Sequence, residues 1–347
     1  MIAVNCRFFN QELSGTQRFA YEILTRLVKF YPDIVLLTPK LKKPPPEPFR
    51  KFRILSGKLS GHLWEQFELH FQLKKMGSPL LINLLNSAPL VYENQIVTVH
   101  DLSFLVNPEW FSKKYYLYYR VTTPLFLKRS KKIITVSHFS KNEILKIFNV
   151  DVNKIHVIYN GVSQKFFRAK KSSKKNYILA IGGSNPRKNI ENIIRALDNV
   201  SLKNIYLVAV SGQNKIFPSK NINLPKLNRV QILNRVTDSQ LVKLYSEASV
   251  FVFPSLYEGF GIPPLEAMAC GTPVVVSNAS SLPEVCGDAA LYVNPNDPVD
   301  IARKINMILE DCRLREELIR KGMERAKLFS WDKSAIKLKN IIDSILE

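Results

Sequence analysis

Residues 250–276 read VFVFPSLYEGFGIPPLEAMACGTPVVV. Val250–Phe253 is a short run of strand-forming residues, and Val274–Val276 is another. Between them lie a loop with Gly259 and Gly261 and a stretch that begins a helix near Pro263, since proline suits a first helical turn. A strand, a crossover helix and a second strand in so short a span imply that the strands run parallel. Parallel strands need cover on both faces, so the class is α/β.

The same alternation extends both ways. Tyr177–Ile181 and Tyr206–Val210 read as strands, Asn189–Leu197 and Asp238–Ala248 as helices, and Leu291–Val293 as a further strand before a helical C-terminal stretch with Lys- and Glu-rich faces. An earlier series has strands at Ile2–Asn5, Ile34–Leu37, Leu80–Asn83, Ile96–Val99, Ile133–Val136 and Ile155–Tyr159, with a helix from Ser14 to Phe30. A Lys- and Ser-rich patch, Arg168 to Lys175, separates the series and reads as a linker. The expectation is two doubly wound domains, 1–163 and 164–329, with a last helix over 330–347. Ligands of such sheets sit beyond the carboxyl ends of the strands, so residues just after strands are the candidates.

Composition fits this plan. The 347 residues suit about two domains of roughly 150 residues each. Hydrophobic residues at 46% and charged residues at 23% give a globular balance, which excludes disordered and low-complexity classes. Apolar runs such as Ile205–Val210 fall far short of the roughly 20 residues of a spanning helix. Met1-Ile2-Ala3-Val4-Asn5 begins as a strand, without the features of a secretory signal. Cys6, Cys270, Cys286 and Cys312 are scattered, with no CxxC pair and no His at metal-ligand spacing. These features predict a cytoplasmic chain with reduced thiols. Charge is the extreme property: 50 Lys and Arg against 29 Asp and Glu leave +21, which suits an anionic partner.

Ser255 to Pro273 is the most specific stretch for chemistry. Glu258 and Glu266 flank a glycine-containing loop and a helix start, where unpaired N–H groups and the positive dipole end suit a phosphate. A carboxylate about one turn into that helix, Glu266, can accept both hydrogen bonds of a ribose diol. With Gly271-Thr272-Pro273 and Ser281-Leu282-Pro283-Glu284-Val285, this stretch resembles the retaining nucleotide-sugar glycosyltransferases of the GT-B fold, family 4 type, which serve bacterial O-antigen and polysaccharide synthesis. More loosely, the resemblance covers nearly the whole chain. It implies two Rossmann-like domains facing across a cleft, with the C-terminal helix crossing back to the first. It also implies that Glu258 faces the donor sugar, that Glu266 holds the ribose, and that Gly259, Phe260 and Gly261 belong to the donor loop.

Gly182-Gly183-Ser184-Asn185-Pro186-Arg187-Lys188-Asn189 lies between a strand and a helix, where Lys188 can supply charge to a diphosphate leaving group. The family usually has an Arg where Gly183 stands, and Arg187 is the candidate to replace it. No G-x-G-x-x-G occurs there, which disfavours a dinucleotide site. Leu13-Ser14-Gly15-Thr16-Gln17-Arg18 looks like the family's first glycine-containing loop: Gly15 would let the backbone approach the donor diphosphate, Arg18 could add charge, and Ser14 reads as a helix N-cap. His100 and Asp101 follow a strand directly. The resemblance puts His100 beside the reacting centre, while Asp101 is either an acceptor contact or a helix cap. Ser137 reads as a cap, Asn160-Gly161-Val162 as a hinge and Trp331 as a packing anchor. No Asp-x-Asp pair occurs, so the expectation is an enzyme that requires no metal or other cofactor.

Two segments, 40–75 and 110–132, interleave Lys and Arg with aromatics such as Phe49, Trp64, Phe67, Phe71, Tyr118 and Tyr119. They suit an anionic membrane surface, or else are amphipathic surface elements whose aromatics are core. No recognised nucleic-acid module accompanies the charge, which argues against that partner. The function implied is transfer of a sugar from a nucleotide donor to a lipid-linked or polysaccharide acceptor. GDP-mannose is the first choice of donor, and UDP-glucose and dTDP-rhamnose remain open. Epimerases, α-glucan synthases and a catalytically silent glycan- or membrane-binding scaffold share the architecture.

Overall fold

A computed structural model describes residues 1–12, 14–169, 173–182, 185–211, 229–234 and 236–347. These residues divide into two compact units: 1–102, 117–160 and 331–347 form the first, and 103–116 with 161–330 the second. The chain passes between them at Leu102/Ser103, Tyr116/Leu117, Asn160/Gly161 and Ser330/Trp331.

The first unit is built on a parallel sheet of β1 (Ile2–Asn5), β2 (Val35–Thr38), β3 (Arg53–Ser56), β4 (Leu80–Asn83), β5 (Gln95–Val99), β6 (Lys132–Thr135) and β7 (Ile155–Val157), in the order β3-β2-β1-β4-β5-β6-β7. Strands β1, β2, β4 and β5 are buried throughout, as expected of strands covered on both faces. The order reverses at the β1/β4 junction, where Asn5 stands beside Asn83. A buried polar cluster occupies that point. Glu65, fully buried, accepts from Asn5 Nδ2 at 2.8 Å and Ser87 Oγ at 2.9 Å, and pairs with Arg7 at 3.5 Å and His62 at 3.2 Å. Burial alone would raise the Glu65 pKa, but Arg7, His62 and Asn5 outweigh it and hold the carboxyl below its usual range.

Helix Gly15–Phe30 covers one face with Phe19, Ile23, Leu24 and Leu27. Ser14 sits at its N-cap position but makes no capping hydrogen bond, because its hydroxyl turns to the Gln17 side chain, which corrects the capping role read from sequence. Ser137 does cap its helix, accepting from the Ser140 N–H at 3.0 Å. The C-terminal helix Trp331–Leu346 packs on Gly15–Phe30: Arg26 pairs with Asp332 at 2.6 Å, Tyr31 donates to Asp343 at 2.5 Å, and buried Trp331 meets Phe19 edge-on at 6.0 Å. Phe19 in turn meets the His100 ring edge-on at 5.0 Å.

The second sheet, also parallel, has β8 (Lys175–Ile181), β9 (Tyr206–Ser211), β10 (Val230–Asn234), β11 (Ala248–Phe253), β12 (Val274–Ser277) and β13 (Leu291–Val293), in the order β10-β9-β8-β11-β12-β13. Its reversal lies between β8 and β11. Helices Ile190–Ala196 and Pro298–Glu310 contribute Ile190, Ile193, Ile194, Ile301 and Ile305 to a core with Ile178, Val250 and Val252. The four cysteines are free, and burial pushes the Cys270 and Cys286 thiols up to about 12. Among the described residues, no helix is long and apolar enough to cross a membrane.

Trp331→Ala should cost about 3–5 kcal/mol, since it removes a fully buried aromatic that other side chains cannot replace. The shift in the unfolding midpoint of the purified protein checks this.

Candidate functional site

The second unit's reversal point brings two loops together. The loop after β8 begins at Gly182, whose φ of +108° suits only glycine, and a Cβ there would stand 2.3 Å from Lys188 Cγ. Gly182 therefore clears the path of the Lys188 side chain. Asn185 accepts from the Arg187 N–H at 3.0 Å and shapes the turn Pro186–Lys188. Asn189, left-handed at φ 56°, donates to the Pro254 carbonyl at 3.1 Å and the Pro295 carbonyl at 2.6 Å. The loop after β11 answers: the Leu256 N–H donates to the Arg187 carbonyl at 2.8 Å.

Glu258 lies at the centre, buried with 6% exposure. Lys188 Nζ donates to it at 2.6 Å, Arg187 approaches at 3.9 Å, and the Ser255 hydroxyl donates to the same carboxylate. Its backbone N–H donates to Ser280 Oγ and its carbonyl accepts from Ser281 Oγ, both at 2.9 Å. Burial raises the pKa of such a carboxyl, but Arg187 and Lys188 exceed that effect and hold Glu258 below the usual range, ionised at neutral pH. Lys188 also lies 4.5 Å from the centre of the Phe253 ring.

The next helix, Ile262–Ala269, starts at Gly261, whose φ is +93° and where a Cβ would collide with Leu282 at 2.6 Å. Gly259 and Phe260 are buried, with Phe260 edge-on to Phe329 at 5.6 Å. Glu266, one turn into the helix, is buried and accepts from the Tyr245 hydroxyl at 3.2 Å. Tyr245 escaped the sequence reading. It sits on helix Asp238–Glu247 as an ordinary apolar-face residue, and only the fold places its hydroxyl on Glu266.

The structure thus brings Arg187, Lys188, Glu258, Gly259, Phe260, Gly261 and Glu266 into one unit at one sheet edge. Gly183 lies outside the described residues. His100, Asp101, Gly15 and Arg18 belong to the first unit. His100 is buried, with its Nε2–H donating to the Leu84 carbonyl at 3.0 Å, which leaves Nδ1 as the acceptor of the neutral ring. Burial lowers its pKa against the pull of Leu84 and Asp101. Asp101 and Arg18 are half-buried, and Gly15 opens the first helix with no atom within 4 Å of a Cβ placed there. Among the described residues, no group of three or more His, Cys, Asp or Glu is placed to hold a metal ion.

Comparisons with known proteins give the family and the fold. Residues 162–325 match the model for glycosyl transferases group 1, and residues 13–166 match that for glycosyltransferase family 4. An O-antigen chain mannosyltransferase B of Escherichia coli is 34% identical over 257 residues, 69% of this chain and 68% of that protein. The chain belongs to the family 4, group 1 glycosyltransferases. O-antigen chain mannosyltransferase RfbU of Salmonella typhimurium is 40% identical over 228 residues, 65% of this chain, and the match spans 64% of the relative's length. Among solved structures, sucrose-phosphate synthase from Thermosynechococcus elongatus superposes with a TM-score of 0.77 at 21% identity, covering 99% of this chain and 98% of that one. The architecture is the GT-B fold.

Lys188→Met leaves the buried Glu258 with Arg187 at 3.9 Å as its cation beside the Ser255 hydroxyl, and removing one partner of a buried pair costs about 3–5 kcal/mol. The Glu258 pKa then rises above its unfolded value. The deficit should be full at neutral pH and shrink as pH falls through the carboxyl range near about 4, because protonation removes the uncompensated charge. Unfolding midpoints of both proteins from pH 7 downward test this.

Proposed function

We propose that this glycosyltransferase is a retaining, metal-independent hexosyltransferase that moves mannose from GDP-mannose to a hydroxyl of a lipid-linked oligosaccharide or polysaccharide. The observation that carries this reading is the buried Glu258, held ionised by Lys188 and Arg187 at the sheet's reversal point, one loop away from Glu266. The two relatives, both O-antigen chain mannosyltransferases, support mannose as the sugar and an O-antigen type of acceptor.

Glu266, steadied by Tyr245, accepts hydrogen bonds from the ribose diol. Glu258 orients the sugar by accepting from its hydroxyls. Lys188 has three donors, so it can keep Glu258 and still give a hydrogen bond to the diphosphate. With Arg187 and the positive dipole end of helix Ile262–Ala269, it offsets the charge that grows on the departing diphosphate, the task a metal performs elsewhere. The bond from anomeric carbon to phosphate oxygen breaks as the acceptor oxygen attacks the same face, and a diphosphate oxygen takes the acceptor proton. Of the first unit's residues, the resemblance assigns neutral His100 to the reaction and Asp101 to the acceptor. Gly15 and Arg18 approach the diphosphate. The enzyme works in the cytoplasm, at the inner membrane face where a lipid-linked acceptor is found.

Calorimetric titration without metal should show GDP-mannose binding and little response to UDP-glucose or dTDP-rhamnose. Binding of another nucleotide class would replace the donor, and silence from all three on folded protein would move the reading to a non-catalytic scaffold. Glu266→Ala should weaken donor binding by about 1–3 kcal/mol through the lost charged hydrogen bonds, with unchanged affinity removing its role. Turnover should survive EDTA, and loss restored by magnesium would overturn metal independence.

A further inference from the structure

Three successive carbonyls lie in the last turn of helix Asp238–Glu247, and each accepts from a side chain outside that helix. The Tyr177 hydroxyl donates to Leu244 at 2.7 Å, Lys174 Nζ to Ser246 at 2.9 Å, and the Thr272 hydroxyl to Tyr245 between them. The last four carbonyls of a helix have no partner inside it, so such donors fix where the turn ends. They come from β8, from the residue before it, and from the Gly271-Thr272-Pro273 stretch that leads into β12. Lys174 also donates to Thr272 Oγ1 and to the Gly271 carbonyl, both at 3.0 Å. One ammonium thus ties the end of helix Asp238–Glu247 to the chain that leaves helix Ile262–Ala269.

Tyr245, in the middle of this clamp, is fully buried. Its ring stands edge-on to Phe166 at 5.9 Å and to Phe251 at 5.4 Å, so the side chain is held as well as the backbone. Phenylalanine would meet the same two rings, so what the tyrosine adds is its hydroxyl. A buried hydroxyl is costly unless it is bonded, and this one donates to Glu266 Oε2. A glutamate has a long, rotatable side chain, and a fixed donor on one oxygen limits the directions its carboxylate can face. Ligand hydroxyls must then arrive where the acceptor already points.

We infer that Tyr245 is a positioning residue that makes Glu266 selective for ribonucleotide donors over deoxyribonucleotide donors. The inference rests on the reading of Glu266 as the ribose acceptor given above and deepens it. With Oε2 engaged by Tyr245, Glu266 is oriented before the donor arrives, and a ribose diol can bind it at little further cost in side-chain order. A deoxyribose offers one hydroxyl where the fixed carboxylate is oriented for two, and a hydrogen bond to a charged group is lost. The preference favours GDP- and UDP-sugars and disfavours dTDP-sugars. The Gly271-Thr272-Pro273 stretch acquires a task too: the buried Thr272 hydroxyl keeps the turn that carries Tyr245 in register with the helix that carries Glu266.

Calorimetric dissociation constants of GDP, dGDP, UDP and dUDP test this in wild type, Tyr245→Phe, Glu266→Ala and the double variant. For the base that binds, wild type should prefer the ribonucleotide by at least about tenfold, the worth of a hydrogen bond to a charged group. Tyr245→Phe keeps the ring in place and should cut that preference by at least about threefold. A general loosening of the fold would weaken both nucleotides alike and leave the ratio unchanged, which overturns the inference. In the Glu266→Ala background, Tyr245→Phe should not change the ratio further. An undiminished effect there also overturns it, because Tyr245 would then act without Glu266. A preference that collapses in Glu266→Ala and persists in full in Tyr245→Phe removes the role of Tyr245 alone. A wild type without preference, a preference that survives Glu266→Ala in full, or no binding of any of the four removes the ribose reading of Glu266 and the inference with it.

Discussion

The strand-order reversal of the second unit depends on keeping one carboxylate charged where little water reaches it. A buried Glu258 without partners would protonate or unfold its surroundings, since desolvation of an ion costs several kcal/mol. Lys188 and Arg187 meet that cost, and the local chain is arranged so that they can. Gly182 clears the lysine's path, Asn189 takes a left-handed turn that closes the loop, and the Leu256 N–H binds the Arg187 carbonyl. Two loops that would move independently are thereby joined into one support at the point where strand order reverses.

The first unit solves a parallel problem with different residues. At its own reversal point Glu65 is buried among Asn5, Ser87, Arg7 and His62. Arg7 follows β1 and Ser87 follows β4, just as Lys188 follows β8 and Glu258 follows β11. The crevice outside a reversal lacks the backbone cover that neighbouring loops give elsewhere, so polar side chains can be gathered there without breaking a strand. In both units a glutamate with basic neighbours fills it.

Legibility in the sequence followed burial. Strands covered on both faces announce themselves by composition, and β1, β4, β5, β11 and β12 were plain in the chain. β3 and β10 were not, because both are edge strands with mostly exposed or half-exposed patterns, and Arg53–Ser56 and Val230–Asn234 lack a long apolar run. The glutamate pair and Lys188 were visible because glycines and prolines mark the loops that hold them. Tyr245 was hidden because its partner lies 21 residues further on and a different element presents it. The basic, aromatic segments were legible as composition only. Which aromatics turn inward is decided by packing, as buried Trp64 and exposed Phe67 show from positions three residues apart.

The C-terminal helix links chain order to completeness of the first unit. Trp331 backs Phe19, and Phe19 backs His100, so the helix supports a residue at the carboxyl end of β5. During synthesis that helix emerges only after residues 161–330 have been made. The first unit therefore leaves the ribosome with the Phe19 side of its helix uncovered, a surface that a chaperone can recognise. The packing of Phe19 under Trp331 thus joins the first-made and last-made parts of the chain, so this unit is complete only once the whole second unit has been made.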